Sequence, residues 1–326
     1  MKAPAALFLI IFLLLQHKIY AQIDQSLVDD FARNYAYQHK LSLAEVEAIL
    51  VKAEFQPSII EKMEKPAEKS LTWTGYRNIF MTNDRINAGV EFWKENENTL
   101  NKVSADTGVP EEIILGILGV ETFFGQRKGS YKVLDALYTL AFGYPKRSKF
   151  FTSELEKLLE LSEQENLDIN NIKGSYAGAI GYCQFMPSSY IAYAKSYKQD
   201  GNRDLVNSVD DAIASIANYM AVHRWENGKP IAQKAVATDD NISLEKQSLK
   251  PKNNLNYYQN LGFETEDKKT TNEPVTLIDL ELDNGKEYWF GYDNFYVITR
   301  YNHSPMYALA VYQLGLAVKE KKLAAK

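Results

Sequence analysis

With one cysteine in 326 residues, Cys183, the chain has no internal disulfide to form and is held by packing alone. Histidine is scarce as well. His17, His39, His223 and His303 are the whole set, and none stands at metal-ligand spacing from a second ligand. No metal site and no cofactor are expected. There is no excess of positive charge: 37 basic side chains against 42 acidic ones exclude the basic face that a nucleic-acid binder needs, so no nucleic-acid partner is expected. Long apolar runs are absent but for residues 7–15, which fall short of the about 20 residues a membrane-spanning helix requires. Lys2 precedes that run and Ile19-Tyr20-Ala21 follows it as a cleavage site, so residues 1–21 read as a signal peptide, an uncleaved anchor being the alternative. The expectation is export, to the periplasm or beyond. Cleavage removes Lys2 and Lys18 and no acid, taking the net charge from −5 to −7. No cysteine lies near the cleavage site, so no lipid anchor through cysteine is expected.

Aromatic residues are plentiful: 21 Tyr, 15 Phe and four Trp, with every Trp and most Tyr beyond residue 70. Aromatic rings stack on the C–H faces of sugars, although core packing uses most aromatics in most proteins. Apolar spacing predicts helix over 24–53, from after Asp84 through Trp93, from Ile113 (with Pro110 opening the segment) to about Phe124, over 151–165, 190–197, 209–225 and 304–319. The pattern changes after Pro230. Val275-Thr-Leu-Ile278 and Glu287-Tyr-Trp-Phe290 read as strands, joined by the hairpin signal Asn284-Gly285, and the polar run 264–273 reads as exposed linker.

The segment Val109-Pro-Glu-Glu-Ile-Ile-Leu-Gly-Ile-Leu-Gly-Val-Glu121-Thr-Phe-Phe-Gly125 carries the sharpest chemistry. Ile114, Leu118 and Glu121 continue one line along a helix apolar all round, and Gly116 and Gly119 would let a second backbone approach. A carboxylic acid in the last turn of a buried helix meets desolvation and the negative end of the helix dipole. Both favour its protonated form, as a general acid requires. The alternative is a Glu at the rim of the core, bonded to a loop. The Gly-rich stretch 174–187 lacks the Lys-Ser/Thr ending of a phosphate-binding loop and presents Ser175, Tyr176, Tyr182 and Gln184, groups suited to sugar hydroxyls. The stretch 294–304 reads as a loop rich in hydrogen-bonding side chains, or as the cap of the last helix. Cys183 could serve as a thiol nucleophile with His303 as base, but reads better as a small buried thiol. Asp210 and Asp211 read as N-terminal dipole partners of their helix.

With Gly119-Val-Glu-Thr-Phe-Phe-Gly125, the block 174–189, the block 210–219 and the block 294–314, the chain resembles the membrane-bound lytic transglycosylase B family of peptidoglycan glycosidases, from about Thr72 to Lys319. The resemblance implies an α+β, mainly α fold: a lysozyme-like catalytic domain with a small inserted antiparallel β domain. It divides the chain into the signal peptide (1–21), the first part of the catalytic domain (22–234), the β insert (235–292) and a C-terminal loop and helix completing the catalytic domain (293–326). It implies Glu121 as the catalytic acid and base, and Tyr76, Arg147, Ser175, Gln184, Tyr219, Tyr301 and Asn302 as glycan contacts. The implied reaction cleaves the bond between N-acetylmuramic acid and N-acetylglucosamine and closes a 1,6-anhydro ring. It needs one carboxylate, unlike the paired scheme of ordinary glycosidases. A hydrolytic muramidase using the same Glu, and a catalytically silent glycan-binding envelope protein, are the alternatives. The implied partners are peptidoglycan glycan strands, with cell-wall synthesis or remodelling proteins as candidate protein partners.

The sequence departs from the family in three respects, the first being that the family is named for a lipid anchor and this chain has no cysteine to carry one. Cys183 stands where relatives have glycine. Some relatives bind calcium before the helix that begins near Asp210, whereas here the matching stretch, 196–204, offers Ser196 and Lys198 where oxygen ligands are wanted.

Overall fold

The computed structural model describes residues 23–64, 71–238 and 247–325. The expected signal peptide lies outside them.

The chain opens with α1 (Gln25–His39), α2 (Leu43–Leu50) and α3 (Pro57–Glu64). The stretch read as one helical region breaks at Lys40, which turns left-handed, and restarts at Ser42 through a reciprocal capping box with Glu45. Next come α4 (Trp73–Phe80), α5 (Asn83–Glu95), α6 (Glu97–Thr107) and α7 (Glu111–Thr122). A two-residue strand β1 (Tyr131–Lys132) leads into α8 (Val133–Gly143), a 3-10 turn at Pro145–Arg147 and α9 (Ser148–Gln164). Strand β2 (Lys173–Gly174) pairs back on β1, and α10 (Pro187–Tyr193) and α11 (Val209–Val222) follow.

The sheet is built from β3 (Ala232–Ala237), β4 (Phe263–Thr265), β5 (Thr276–Glu281) and β6 (Lys286–Gly291), with α12 (Leu255–Asn260) lying before β4. Its order is β4-β3-β6-β5, antiparallel throughout. The predicted hairpin joins β5 to β6: Gly285 adopts φ +86° and its carbonyl accepts from the Leu282 amide at 3.0 Å. The run read as exposed from 264 is strand as far as Thr265, which is buried. Alternation along β5 divides its side chains between two cores. Leu277 joins Phe290, Tyr258 and Phe263 in a small core beside α12, while Ile278 and Leu280 face the main helical core.

The chain ends in α13 (Asp293–Tyr301) and α14 (Pro305–Ala324). The stretch from 294 was expected as a loop and is a helix up to Tyr301, whose Phe295, Val297, Ile298 and Thr299 are buried. Ser304 caps α14 by accepting from the Tyr307 amide at 3.2 Å.

The centre of the molecule is the crossing of α7 and α14, where every residue from Ile113 to Gly119 is buried. A Cβ on Gly116 would lie 2.2 Å from the Val311 carbonyl oxygen, and one on Gly315 would lie 2.0 Å from that of Glu112. The helices therefore meet backbone to backbone at two glycines, and this contact sets where the end of α7 lies against the start of α14.

Candidate active site

Helix α7 ends one residue after Glu121, and its termination is unusual. Phe123 and Phe124 both adopt positive φ, 51° and 56°, before Gly125 at 85°. Left-handed backbone costs a residue with a Cβ about 1–2 kcal/mol. The Phe123 and Phe124 amides close the helix by donating to the Gly119 and Leu118 carbonyls at 3.2 and 3.0 Å. The Phe124 ring lies over two bare glycines, since a Cβ on either Gly89 or Gly119 would come within 2.8 Å of its Cζ. Thr122, fully buried, accepts from the Gly125 amide at 2.9 Å and lies 3.3 Å from the Tyr182 carbonyl. The Tyr182 ring covers Gly125, where a Cβ would fall 1.9 Å from Cε1. Strained turns of this kind persist where their surroundings over-determine them, and they gather at functional sites.

Glu121 itself is half-buried rather than sealed in the core. Tyr307, in the first turn of α14, donates its hydroxyl to Glu121 Oε1 at 2.7 Å. Burial, and then the Glu121 carboxylate, push the Tyr307 phenol well above the usual tyrosine range, so it stays protonated and remains a donor. The sequence marks Tyr307 only as part of the helix expected over 304–319. Its hydroxyl, which a buried tyrosine has to satisfy, was the available signal.

Of the other expected residues, Tyr301, Tyr219 and Tyr76 are linked to this pair by ring contacts or electrostatics. Tyr301 stacks on Tyr307 at 6.3 Å and donates to the Cys183 carbonyl at 2.6 Å. Tyr219 meets Tyr301 edge-on at 4.8 Å and donates to the Arg300 carbonyl at 2.5 Å. Burial, then Tyr193, pushes its phenol up to about 12. Both hydroxyls are spent on backbone, so these residues offer ring edges and faces. Gln184, itself at positive φ, donates to the Lys128 and Gly181 carbonyls, which leaves its Oε1 as an acceptor. Ser175 accepts from the Ala177 and Ala179 amides and keeps its own proton to give. Asn302, just past α13, is half-buried, and its side-chain amide makes no hydrogen bond among the described residues. Tyr76 is buried on α4 between Trp73 and Phe80 and faces Tyr307 electrostatically. Arg147 is exposed on the turn before α9, with its guanidinium over Phe150 and Phe151, and its contacts, like those of Ser175 and Gln184, do not reach the Glu121 group.

Cys183 is fully buried, with Sγ 3.5 Å from the Ala212 carbonyl. Burial, and then Glu121, push its thiol well up, the reverse of what a nucleophile needs. The two aspartates of α11 do more than answer the helix dipole. Asp210 accepts from the Thr99 hydroxyl at 2.6 Å, and buried Asp211 accepts from the Tyr197 and Asp204 amides. The loop 196–204 is thus folded onto a carboxylate whose two oxygens are both engaged. Asp204 is likewise committed to Val206 and Asn207, and Lys198 stands in the same hollow. Among the described residues no group of three or more His, Cys, Asp or Glu is placed to hold a metal ion, and these donors do not fit a calcium ion wanting about six to eight oxygens.

The structure thus sets a half-buried glutamate at a helix end, with a tyrosine aimed at it, in a mainly helical body. Residues 24–316 match the transglycosylase SLT domain, and the chain belongs to that family. It is 39% identical over 290 residues to the membrane-bound lytic murein transglycosylase B of Escherichia coli K12, over 86% of this chain and 79% of that one. The crystal structure of the soluble lytic transglycosylase SltB1 from Pseudomonas aeruginosa superposes with a TM-score of 0.83 at 38% identity, covering 90% of this chain and 98% of that one. The Escherichia coli lytic transglycosylase Slt35 in complex with calcium gives a TM-score of 0.84 at 37% identity, over 94% and 96%. The fold is the mainly helical, lysozyme-like one expected, with its antiparallel sheet.

Proposed function

We propose that this peptidoglycan lytic transglycosylase cleaves the β-1,4 bond between N-acetylmuramic acid and N-acetylglucosamine, with Glu121 as acid and then as base. The observation that carries the reading is the Tyr307 hydroxyl held 2.7 Å from Oε1 of a half-exposed Glu121. Glu121 gives its proton to the glycosidic oxygen as the bond to the muramic C1 breaks. The resulting carboxylate, held by Tyr307, takes the proton of the muramic C6 hydroxyl, whose oxygen bonds to C1 and closes the 1,6-anhydro ring. Glu121 ends as it began, protonated, so no water is consumed and no second carboxylate is needed. In support, among the described residues Glu121 is the one carboxylate that raises Tyr301, Tyr307 and Cys183 together.

In this reading Ser175, Gln184 and Asn302 contribute a donor, an acceptor and a free amide to glycan hydroxyl and acetamido groups. Tyr76, Tyr219 and Tyr301 contribute rings, and Arg147 contacts the glycan farther along the strand. Residues 1–21 direct export, and residues 235–292 form the inserted β unit. No helix among the described residues is long and apolar enough to cross a membrane.

The test is digestion of purified sacculi with mass analysis of the products. Anhydromuropeptides are expected from the wild type and none from Glu121→Gln, with the circular dichroism of the variant unchanged. Products heavier by one water would make the enzyme a hydrolytic muramidase. No release at any pH would leave only a glycan-binding protein.

A further inference from the structure

Arg85 is an arginine in the first turn of α5, 6% exposed, with no carboxylate partner among the described residues. Its Nη1 donates to the Gly119 carbonyl at 2.7 Å, and its Nε is buried and unpartnered. The guanidinium lies 5.1 Å from the Phe80 ring and 4.7 Å from that of Phe123, and Arg127 approaches Phe123 at 5.1 Å. Buried charges are ordinarily paired, and an unpaired one is retained against a considerable desolvation cost. Burial, and then Arg127, lower its pKa to about 10, which still leaves it cationic at neutral pH.

The placement explains the retention. Gly119 O is the carbonyl that also accepts the Phe123 amide closing α7, and Phe123 is the first residue of the strained turn two positions after Glu121. A single cation therefore holds one carbonyl in the last turn of α7 and the ring that opens the left-handed turn. It also sets positive charge where the helix dipole is negative. We propose that Arg85 is a positioning residue for Glu121, fixing the left-handed turn that aims the carboxyl group and stabilising its ionised form in the second half of the reaction.

The inference rests on the reading of Glu121 as the reacting acid. Groups that face Glu121 include Tyr307 of α14, Tyr301 of α13 and Cys183 of the Gly-rich loop, with Tyr76 of α4 near Tyr307, while Arg85, beside Arg127, touches the same helix end at the Gly119 carbonyl two residues before Glu121. Tyr301, Tyr307 and Cys183 are all pushed up by burial, so they stay protonated and uncharged near neutral pH.

The experiment compares the full-length wild type with Arg85→Met and Arg85→Lys by two readouts. One is the 13C titration of the Glu121 carboxyl, assigned against Glu121→Gln. The other is kcat and KM on purified glycan strands across pH. Arg85→Met is expected to raise the Glu121 titration by about one unit and to lower kcat about 10-fold, with KM little changed. Arg85→Lys keeps the charge, so its titration stays in place, but an ammonium cannot lie on two rings and reach the carbonyl, so kcat still falls. A folded Arg85→Met protein with the wild-type titration overturns the proposal, as does wild-type kcat in Arg85→Lys. If neither variant folds, Arg85 serves the fold alone and the proposal fails. Should the wild type release no anhydro product, the functional reading falls while the carboxyl titration still decides this one.

Discussion

At the residue scale, the site turns on one hydrogen bond whose value depends on protonation. Tyr307 donates to Glu121 Oε1 at 2.7 Å, and a bond to an ionised acceptor is worth about 1.5–3 kcal/mol. Tyr307→Phe removes a donor that favours the carboxylate, so Glu121 should titrate higher, by about one unit. Activity that requires protonated Glu121 falls as pH rises through its pKa. The alkaline limb of kcat should therefore move to higher pH, while kcat at its optimum drops by about tenfold or more because the base form is less stable. An unchanged alkaline limb in a folded variant would count against Tyr307 as a partner of the reacting group. Glu121 was legible from the sequence because a carboxylate on an all-apolar helix is rare. The degree of its burial was not, because Tyr307 arrives from an element 186 residues away in sequence. Arg85 was not legible either: between Asp84 and Ile86 it looks like an ordinary surface arginine at a helix start, and only the tertiary contact with Gly119 buries it.

At the scale of elements, the reach of Tyr307 to Glu121 is set by how closely α14 approaches α7. Gly315→Ala should show this. In a free helix the change favours folding by up to about 1 kcal/mol. Here the new methyl would sit 2.0 Å from the Glu112 carbonyl, a backbone atom that cannot rotate away. The helices have to separate, at a cost near the upper end of overpacking, about 3 kcal/mol. The urea midpoint should fall with an unchanged slope, and activity should fall with it as the hydrogen bond lengthens. A midpoint equal to or above that of the wild type would show that the helices are not locked at this glycine. The sequence reading allowed for such an approach at Gly116 and Gly119 but could not name the partner. Helix α13 shows the opposite limit. Its Phe, Tyr, Val, Ile and Thr residues are poor helix formers, and the helix is held by burial and by Asn294, whose side chain bonds the Glu226 amide and the Glu226 and Lys229 carbonyls. Local propensity points away from helix there, and packing decides.

At the scale of the whole molecule, the sheet is tied to the element that carries Tyr76. The Thr72 hydroxyl, at the start of α4, donates to Asp283 in the β5–β6 turn at 2.6 Å. One residue on, Trp73 Nε1 donates to Glu287 Oε1 at 2.9 Å, and the same oxygen accepts from Trp289 Nε1 at 2.7 Å. Glu287 thus joins two indoles across the boundary between sheet and helices, and Trp73 in turn stacks on Tyr76 at 6.4 Å. A carboxylate that serves two N–H donors, one of them on a tryptophan only 1% exposed, is costly to remove, because a buried donor left unmade loses about 1–3 kcal/mol. Glu287→Ala should therefore lower stability by about that amount and loosen α4. Since α4 presents Tyr76 rather than the reacting acid, KM for glycan strands should rise several-fold while the pH limbs stay where they are. Glu287→Gln, which keeps an oxygen for both indoles, should recover most of the stability and the wild-type KM. The strand pair and its turn were evident in the sequence, but nothing in their alternation showed that the hairpin reaches back to residues 72 and 73. If Glu287→Ala binds glycan as the wild type does, the sheet packs on α4 without positioning Tyr76, and its role in the site has to lie elsewhere.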